Sequence, residues 1–194
     1  MTYTLRKARL EDRPALQALI QASARGLSRG DYTPEVVEGA LAGAFGVDSD
    51  LIQDQTYFVA VEDDGSDEGL FVGCGGWGRR MTLFGGDARP DRSPQMLDPA
   101  RDPARIRAFF VHPDRARQGI GRALLAACEA EARAAGFKAL ELMGTLPGVP
   151  LYTAMGFQPT GRVFHPLPNG QTIEFVPMRK ELTDLENAAD CPKD

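Results

Sequence analysis

The sequence predicts an α/β fold whose mixed sheet is built around a central pair of parallel strands flanked by helices. Two observations carry this. An apolar strand, Ile106–Val111, leads into a helical stretch from about Gln118 to Ala135 and then into a second apolar strand, Leu140–Met143. One helix joining two strands of a sheet is a crossover, and a crossover makes its strands parallel. Upstream, Thr56–Val61 and Leu70–Trp77 have β-branched and aromatic strand composition and flank the acidic turn 63–69, so they form an antiparallel hairpin and make the sheet mixed.

The remaining elements follow in chain order. Residues 3–9 read as a first strand. Asp12 and Pro14 open a helix with Leu16, Leu19, Ile20 and Ser23 on one face, and Arg25-Gly26 marks its end. A second helix starts at Thr33-Pro34, uses Val36, Val37, Ala40, Leu41 and Ala44, and breaks at Gly46. A short turn is expected over Asp48–Gln53. From Gly78 to Ala104 periodicity fails among Pro90, Pro94, Pro99 and Pro103. A segment this long without elements is unusual inside a domain and is commonly functional or mobile; an excursion over the acceptor side of a site or into a subunit contact is expected, with a disordered surface loop as the alternative. On the helix after Gln118, Ile120, Leu124, Ala127, Cys128 and Ala135 make a buried face, and Gly136 stops it. Gly161–Phe164 and Gln171–Arg179 form a closing hairpin around 166–170, in which Pro177 marks an edge position or a bulge because it cannot donate to a ladder. Residues 1–182 read as one domain and 183–194 as a polar tail.

Composition narrows the function. A chain of 194 residues with 43% hydrophobic content can bury its own core. Cys74, Cys128 and Cys191 are scattered and accompany only two histidines, which indicates neither a metal site nor a disulfide framework and suits a reducing cytoplasm. No segment approaches the roughly 20 apolar residues of a membrane span. The net charge of −5 argues against general nucleic-acid binding, and the arginines at 115, 117 and 122 stand out as a local basic patch.

That patch belongs to the most informative stretch, Phe109 to Leu125. A strand ends at Val111-His112-Pro113, passes through a turn containing Gly119-Ile120-Gly121 and opens a helix. Glycines let the chain bend and let a ligand approach the backbone, while N–H groups at a helix start lack intrahelical partners and favour anions. A pyrophosphate fits there. The dinucleotide fingerprint fails, because its third glycine falls on Leu124, and the nucleoside-triphosphate loop fails for want of Gly-Lys-Ser/Thr.

What remains resembles the pyrophosphate motif of the GNAT superfamily of acyl-CoA-dependent N-acyltransferases, in which Arg/Gln-x-x-Gly-x-Gly/Ala follows a strand ending Val-x-Pro. The Arg/Gln slot is Ala116 here, flanked by Arg115 and Arg117, so a neighbouring arginine is expected to compensate. Leu151-Tyr152-Thr153-Ala154-Met155-Gly156-Phe157 is similar to a second motif of the family, and Val176–Leu182 to its last strand. The resemblance implies a fold whose central parallel strands splay to admit pantetheine, acetyl-CoA as cosubstrate, no metal, a small-molecule or peptide amine as acceptor, and a homodimer as a common assembly. It also implies cofactor contacts from Phe110, Val111, Arg117, Gln118, Gly119, Ile120, Gly121 and Arg122, with Tyr152 protonating the leaving thiolate and the Val111 N–H meeting the thioester oxyanion.

Acyl transfer also needs a neutral amine, and an alkylammonium with a pKa near 10 supplies only about one neutral molecule in a thousand at pH 7. Glu141, on the strand beside Ile106–Val111, is the nearest candidate base by topology; the alternatives are that it pairs with a helix arginine or is simply solvated, with water as the proton shuttle. Tyr32 in the first helix–helix connection and Trp77 at a glycine-rich strand end are candidate acceptor contacts, against surface and core-anchor roles. Cys74 has no histidine partner, so a direct attack in a ternary complex is expected rather than a covalent intermediate. The rivals are a non-catalytic acyl-CoA-binding module and an acetyltransferase acting on a protein N-terminus or lysine.

Overall fold

The structure, a computed structural model, describes residues 2–63, 65, 69–89 and 91–182; the expected polar tail at 183–194 lies outside them. The strands are β1 (Tyr3–Lys7), β2 (Tyr57–Glu62), β3 (Leu70–Gly78), β4 (Ala104–Val111), β5 (Ala139–Thr145), β6 (Gln158–Pro159), β7 (Val163–Pro166) and β8 (Thr172–Glu181). The helices are α1 (Arg13–Leu27), α2 (Pro34–Gly43), α3 (Ser49–Gln53), α4 (Ile120–Ala134) and α5 (Val149–Ala154). One sheet runs β1-β2-β3-β4-β5-β8-β6, with β7 also on β8. Every pairing is antiparallel except β4 with β5, which α4 connects.

The sheet is covered on both faces. Leu16 and Ile20 of α1, Val37 of α2 and Leu51 of α3 bury one face with Val59, Ile173 and Phe175. Leu124, Leu125 and Cys128 of α4 bury the other with Ile106, Leu140, Leu142 and Phe157. Leu124 and Leu125 are the adjacent pair of the i, i+4 stripe that a core-facing helix needs.

Local chemistry explains most boundaries, and three differ from expectation. Thr33 caps α2 by accepting the Val36 N–H at 3.4 Å, and Gly136 ends the α4 segment at φ +88°. Gly26 does not stop α1. A Cβ there would lie 2.3 Å from Pro113 Cγ, so the glycine lets the helix press against the turn after β4. Asp12 does not cap α1 with its side chain; its carboxylate accepts from the Arg9 N–H at 2.7 Å and from Arg6 at 2.7 and 2.9 Å. Pro177 sits inside β8, opposite Met143 of β5, rather than at an edge. Its carbonyl accepts the Thr160 N–H at 2.8 Å, on the side where β6 has ended and β7 has begun, so the missing proline N–H faces a gap in the ladder.

The segment between β3 and β4 carries neither helix nor strand, yet ion pairs fix it. Arg80 meets Asp54 at 2.6 Å, and Arg92 reaches Asp48 at 2.6 Å, Asp50 at 2.5 Å and Asp87 at 2.7 Å. Arg107 of β4, almost fully buried, donates to the Gly85 carbonyl at 2.8 Å and pairs with Asp48 at 2.5 Å. Burial pushes the Asp48 carboxyl up and the Arg107 guanidinium down, which is the cost of placing this pair inside.

Candidate functional site: a cleft between the parallel strands

The parallel ladder is short. Only Ala104, Arg105 and Ile106 pair with Leu140, Glu141 and Leu142; beyond them, Arg107–Val111 and Met143–Thr145 diverge. The divergence has a visible cause in β4. Between the pairs Cys74↔Phe110 and Gly76↔Arg107, β4 uses one more residue than β3, a bulge with Ala108 at φ +53°. Two buried groups hold it, since the Tyr57 hydroxyl donates to the Ala108 carbonyl at 3.2 Å and lies 3.3 Å from Cys74 Sγ.

A cleft of about 610 Å³ opens where the strands part. Phe109, Phe110 and Val111 line one wall, Leu142 and Met143 the other, and α5 closes one side through Leu151 and Tyr152. At one end the cleft meets the loop Arg115–Arg122. At the other it reaches Phe45, Phe175 and the Leu83-Phe84-Gly85 stretch of the long β3–β4 segment.

The loop end is a cradle of backbone donors. Arg117 and Gly119 adopt φ +65° and +85°, and the first helical N–H with an acceptor is that of Ala123, onto the Gly119 carbonyl at 3.0 Å. Among the described residues, no N–H from Arg117 to Arg122 has an acceptor. Successive free amides in such alternating conformations, at the positive end of a 15-residue helix, form an anion-binding concavity. Arg117 and Arg122 line its mouth with no ion pair, whereas Arg115 is held by Glu62 at 2.7 Å. Of the two arginines beside Ala116, only Arg117 is therefore available to an anion.

The individual site residues divide. Gly119, Gly121, Phe110, Val111, Arg117, Arg122 and Tyr152 line the cleft. Ile120 lines it only in part, because its side chain is 2% exposed and packed in the core, leaving its amide as the contribution. Gln118 turns away, its side-chain amide donating to the Asp114 carbonyl at 3.4 Å. Gly121 is needed for packing, since a Cβ there would come within 2.9 Å of Leu151 Cδ2.

Tyr152 is buried against Phe109 and Phe157, with ring centroids 6.4 and 6.0 Å away, and its hydroxyl has no hydrogen-bond partner among the described residues. Burial, with the neighbouring Cys128 thiol, raises its pKa well above the usual phenol range. Such a group stays protonated and keeps a proton to donate.

Three candidates are placed elsewhere. Glu141 is paired with Arg105, its neighbour across the parallel ladder, and does not line the cleft. Trp77 is 2% exposed, with its indole N–H donating to Glu131 at 2.9 Å, and serves as a core anchor. Tyr32 ties three segments together: its hydroxyl donates to the Glu174 carbonyl at 2.6 Å and accepts the Leu146 N–H at 2.8 Å, and burial raises its pKa to about 12. Ser23 of α1 is the residue whose part at the site was not foreseen. Its hydroxyl lines the cleft and accepts the Val111 N–H at 3.2 Å, the amide otherwise left open by the splayed strands. A lone serine on an otherwise apolar helix face was the signal. Cys74 is fully buried, and burial raises its thiol pKa to about 12.

The site thus combines a sheet splayed at its one parallel pair with a cradle of free amides at the start of the following helix. Residues 97–182 match the family model of an acetyltransferase (GNAT) domain. The fold matches, over 94% of this chain and 97% of the other, a GCN5-related N-acetyltransferase structure from Rhodopseudomonas palustris at 21% identity and TM-score 0.66. It also matches a GNAT-superfamily phosphinothricin acetyltransferase from Sinorhizobium meliloti in complex with AcCoA (20% identity, 100% and 95% coverage, TM-score 0.58). A third match is PaiA N-acetyltransferase from Thermoplasma acidophilum in complex with coenzyme A (14% identity, 94% and 100% coverage, TM-score 0.60). No curated protein matches the chain. The match to the acetyltransferase (GNAT) domain covers residues 97–182, and over the rest of the chain the likeness is one of fold. Among the described residues, no helix is long and apolar enough to cross a membrane.

Proposed function

We propose that the protein transfers an acetyl group from acetyl-CoA to a primary amine by direct attack in a ternary complex. The observation that carries this is the continuity of one cleft from the free amides of Arg117–Arg122, through the gap between β4 and β5, to Tyr152. The pyrophosphate lies on the cradle beside Arg117 and Arg122, and pantetheine lies along Phe110 and Val111. The amine nitrogen attacks the thioester carbon, the tetrahedral oxyanion is met by backbone N–H of β4, and the C–S bond breaks. Tyr152 gives its proton to the departing sulfur and regains one that the amine has released to water. With Glu141 committed to Arg105, water is the acceptor of that amine proton. The buried, strongly protonated Cys74 thiol is unsuited to a covalent acetyl intermediate.

Calorimetry with acetyl-CoA, with ATP and NAD as controls, followed by amine-dependent CoA release, tests the reading. Selective binding with amine-dependent release supports it. Selective binding with no release from any amine favours a non-catalytic acyl-CoA-binding module, for which the lack of any carboxylate lining the cleft speaks. Release dependent only on peptides favours an enzyme acting on a protein N-terminus or lysine.

A further inference from the structure

The acceptor end of the cleft is aromatic and carries no acid. Its walls are Leu27, Phe45, Leu83, Phe84, Met143 and Phe175, and among the described residues neither aspartate nor glutamate lines any part of the cleft. The rings form a connected set: Phe45 meets Phe110 edge-on at 5.7 Å and Phe175 at 6.4 Å, and Phe84 meets Phe175 at 5.3 Å and His165 at 5.0 Å. Their own packing fixes them, which makes a preformed apolar wall of the kind that recognises a flat, apolar body.

Charge excludes the other common amines. A polyamine or lysine side chain brings a further ammonium, which would need a carboxylate or an open aromatic face. One face of Phe84 is already covered by the Arg89 guanidinium, 4.0 Å from its centroid, so a second ammonium at this ring would meet a like charge. The charged side chain behind Gly85 is cationic too, that of Arg107, and its partner Asp48 is fully buried outside the cleft. An acidic amino acid fares no better. Arg107's guanidinium is itself buried and its Nε and Nη1 are sealed from the cleft, so no free cation at this end receives a carboxylate.

We infer that the acceptor is a primary amine on an aromatic body with no second charge, its ring seated between Phe45, Phe84 and Phe175 and its nitrogen directed to the gap beside Phe110. This rests on the acetyltransferase reading above. It also suits a site without a carboxylate base, because the apolar wall disfavours the ammonium form and so helps supply the neutral nucleophile.

The test is a rate comparison with acetyl-CoA and 2-phenylethylamine, spermidine, glutamate or a lysine-containing peptide, run on the wild type, Phe84→Ala and Phe84→Asp. The expected result is a kcat/KM for 2-phenylethylamine at least tenfold above the other three. Phe84→Ala should raise its KM about tenfold while calorimetric acetyl-CoA affinity is unchanged, and Phe84→Asp should shift preference toward spermidine. Because a change of preference requires an active protein, misfolding cannot mimic it. Wild-type preference for spermidine, glutamate or the peptide, or an equal loss on all acceptors in both variants, overturns the inference while leaving the acetyltransferase reading standing. Failure of the wild type to bind acetyl-CoA overturns both.

Discussion

Tyr152 has an unbonded hydroxyl on the cleft and a phenol that burial keeps protonated. If it protonates the thiolate, Tyr152→Phe lowers kcat by on the order of 10² and leaves acetyl-CoA affinity within about twofold; single-turnover kinetics beside calorimetry separates the two. Its raised pKa fixes a sign as well. The donor form persists beyond the ordinary phenol pKa of about 10, so kcat measured from pH 7 to pH 10 should show no alkaline fall from this group. Ser23 leads to an opposite kind of expectation. Its hydroxyl occupies the Val111 N–H that the thioester oxygen of acetyl-CoA would take, so Ser23→Ala removes a competitor. A net hydrogen bond is worth about 1 kcal/mol, and acetyl-CoA binding should tighten by roughly two- to fivefold in the same calorimetric experiment.

The strand–loop–helix element acts through backbone shape. Arg117 and Gly119 both hold positive φ, which costs a residue with a Cβ about 1–2 kcal/mol. A Cβ on Gly119 would meet nothing within 4 Å, so the penalty of Gly119→Val is conformational and not steric. Gly119→Val should weaken acetyl-CoA binding at least tenfold. Arg117→Gly keeps the loop shape, loses one solvated charge and should weaken it only two- to threefold. Equal losses would mean that side-chain charge, not the amide cradle, holds the anion. The β4 bulge is the second such element, where a strained Ala108 is held by Tyr57 and Cys74 from two neighbouring strands.

At the scale of the whole molecule, the long segment between β3 and β4 is integrated through charge, and that makes its stability pH-dependent. Asp87 is opposed by burial, but Ser49 through its hydroxyl and N–H, together with Arg92, brings its pKa below the ordinary carboxylate value. A carboxylate depressed in the folded state contributes stability above its unfolded pKa of about 3.9, and that stability is lost as pH falls through the lower folded value. Asp87→Asn should therefore lower Tm by a few degrees at pH 7, with the difference closing as pH falls below the depressed folded pKa. Calorimetric scans across that range check it, and a difference that persisted at pH 2 would assign Asp87 a packing role.

The fold class, the crossover and the shape of the glycine loop were legible in the sequence because each depends on neighbours in the chain: strand composition, a glycine at a left-handed position, free amides at a helix start. Tyr152 was legible for the same reason, one short helix carrying it to the cleft. Glu141, Trp77 and Tyr32 were not, because each finds its partner across the sheet or across more than fifty residues, in Arg105, Glu131, and the Glu174 and Leu146 backbone. A side chain's chemical type sets what it can bond, but only tertiary packing chooses which bond it makes. The same holds at the acceptor end. Sequence order scatters Phe45, Phe84 and Phe175 over three distant segments, and only the closing of the sheet, with Arg92 and Arg107 anchoring the loop, brings them together into one aromatic wall.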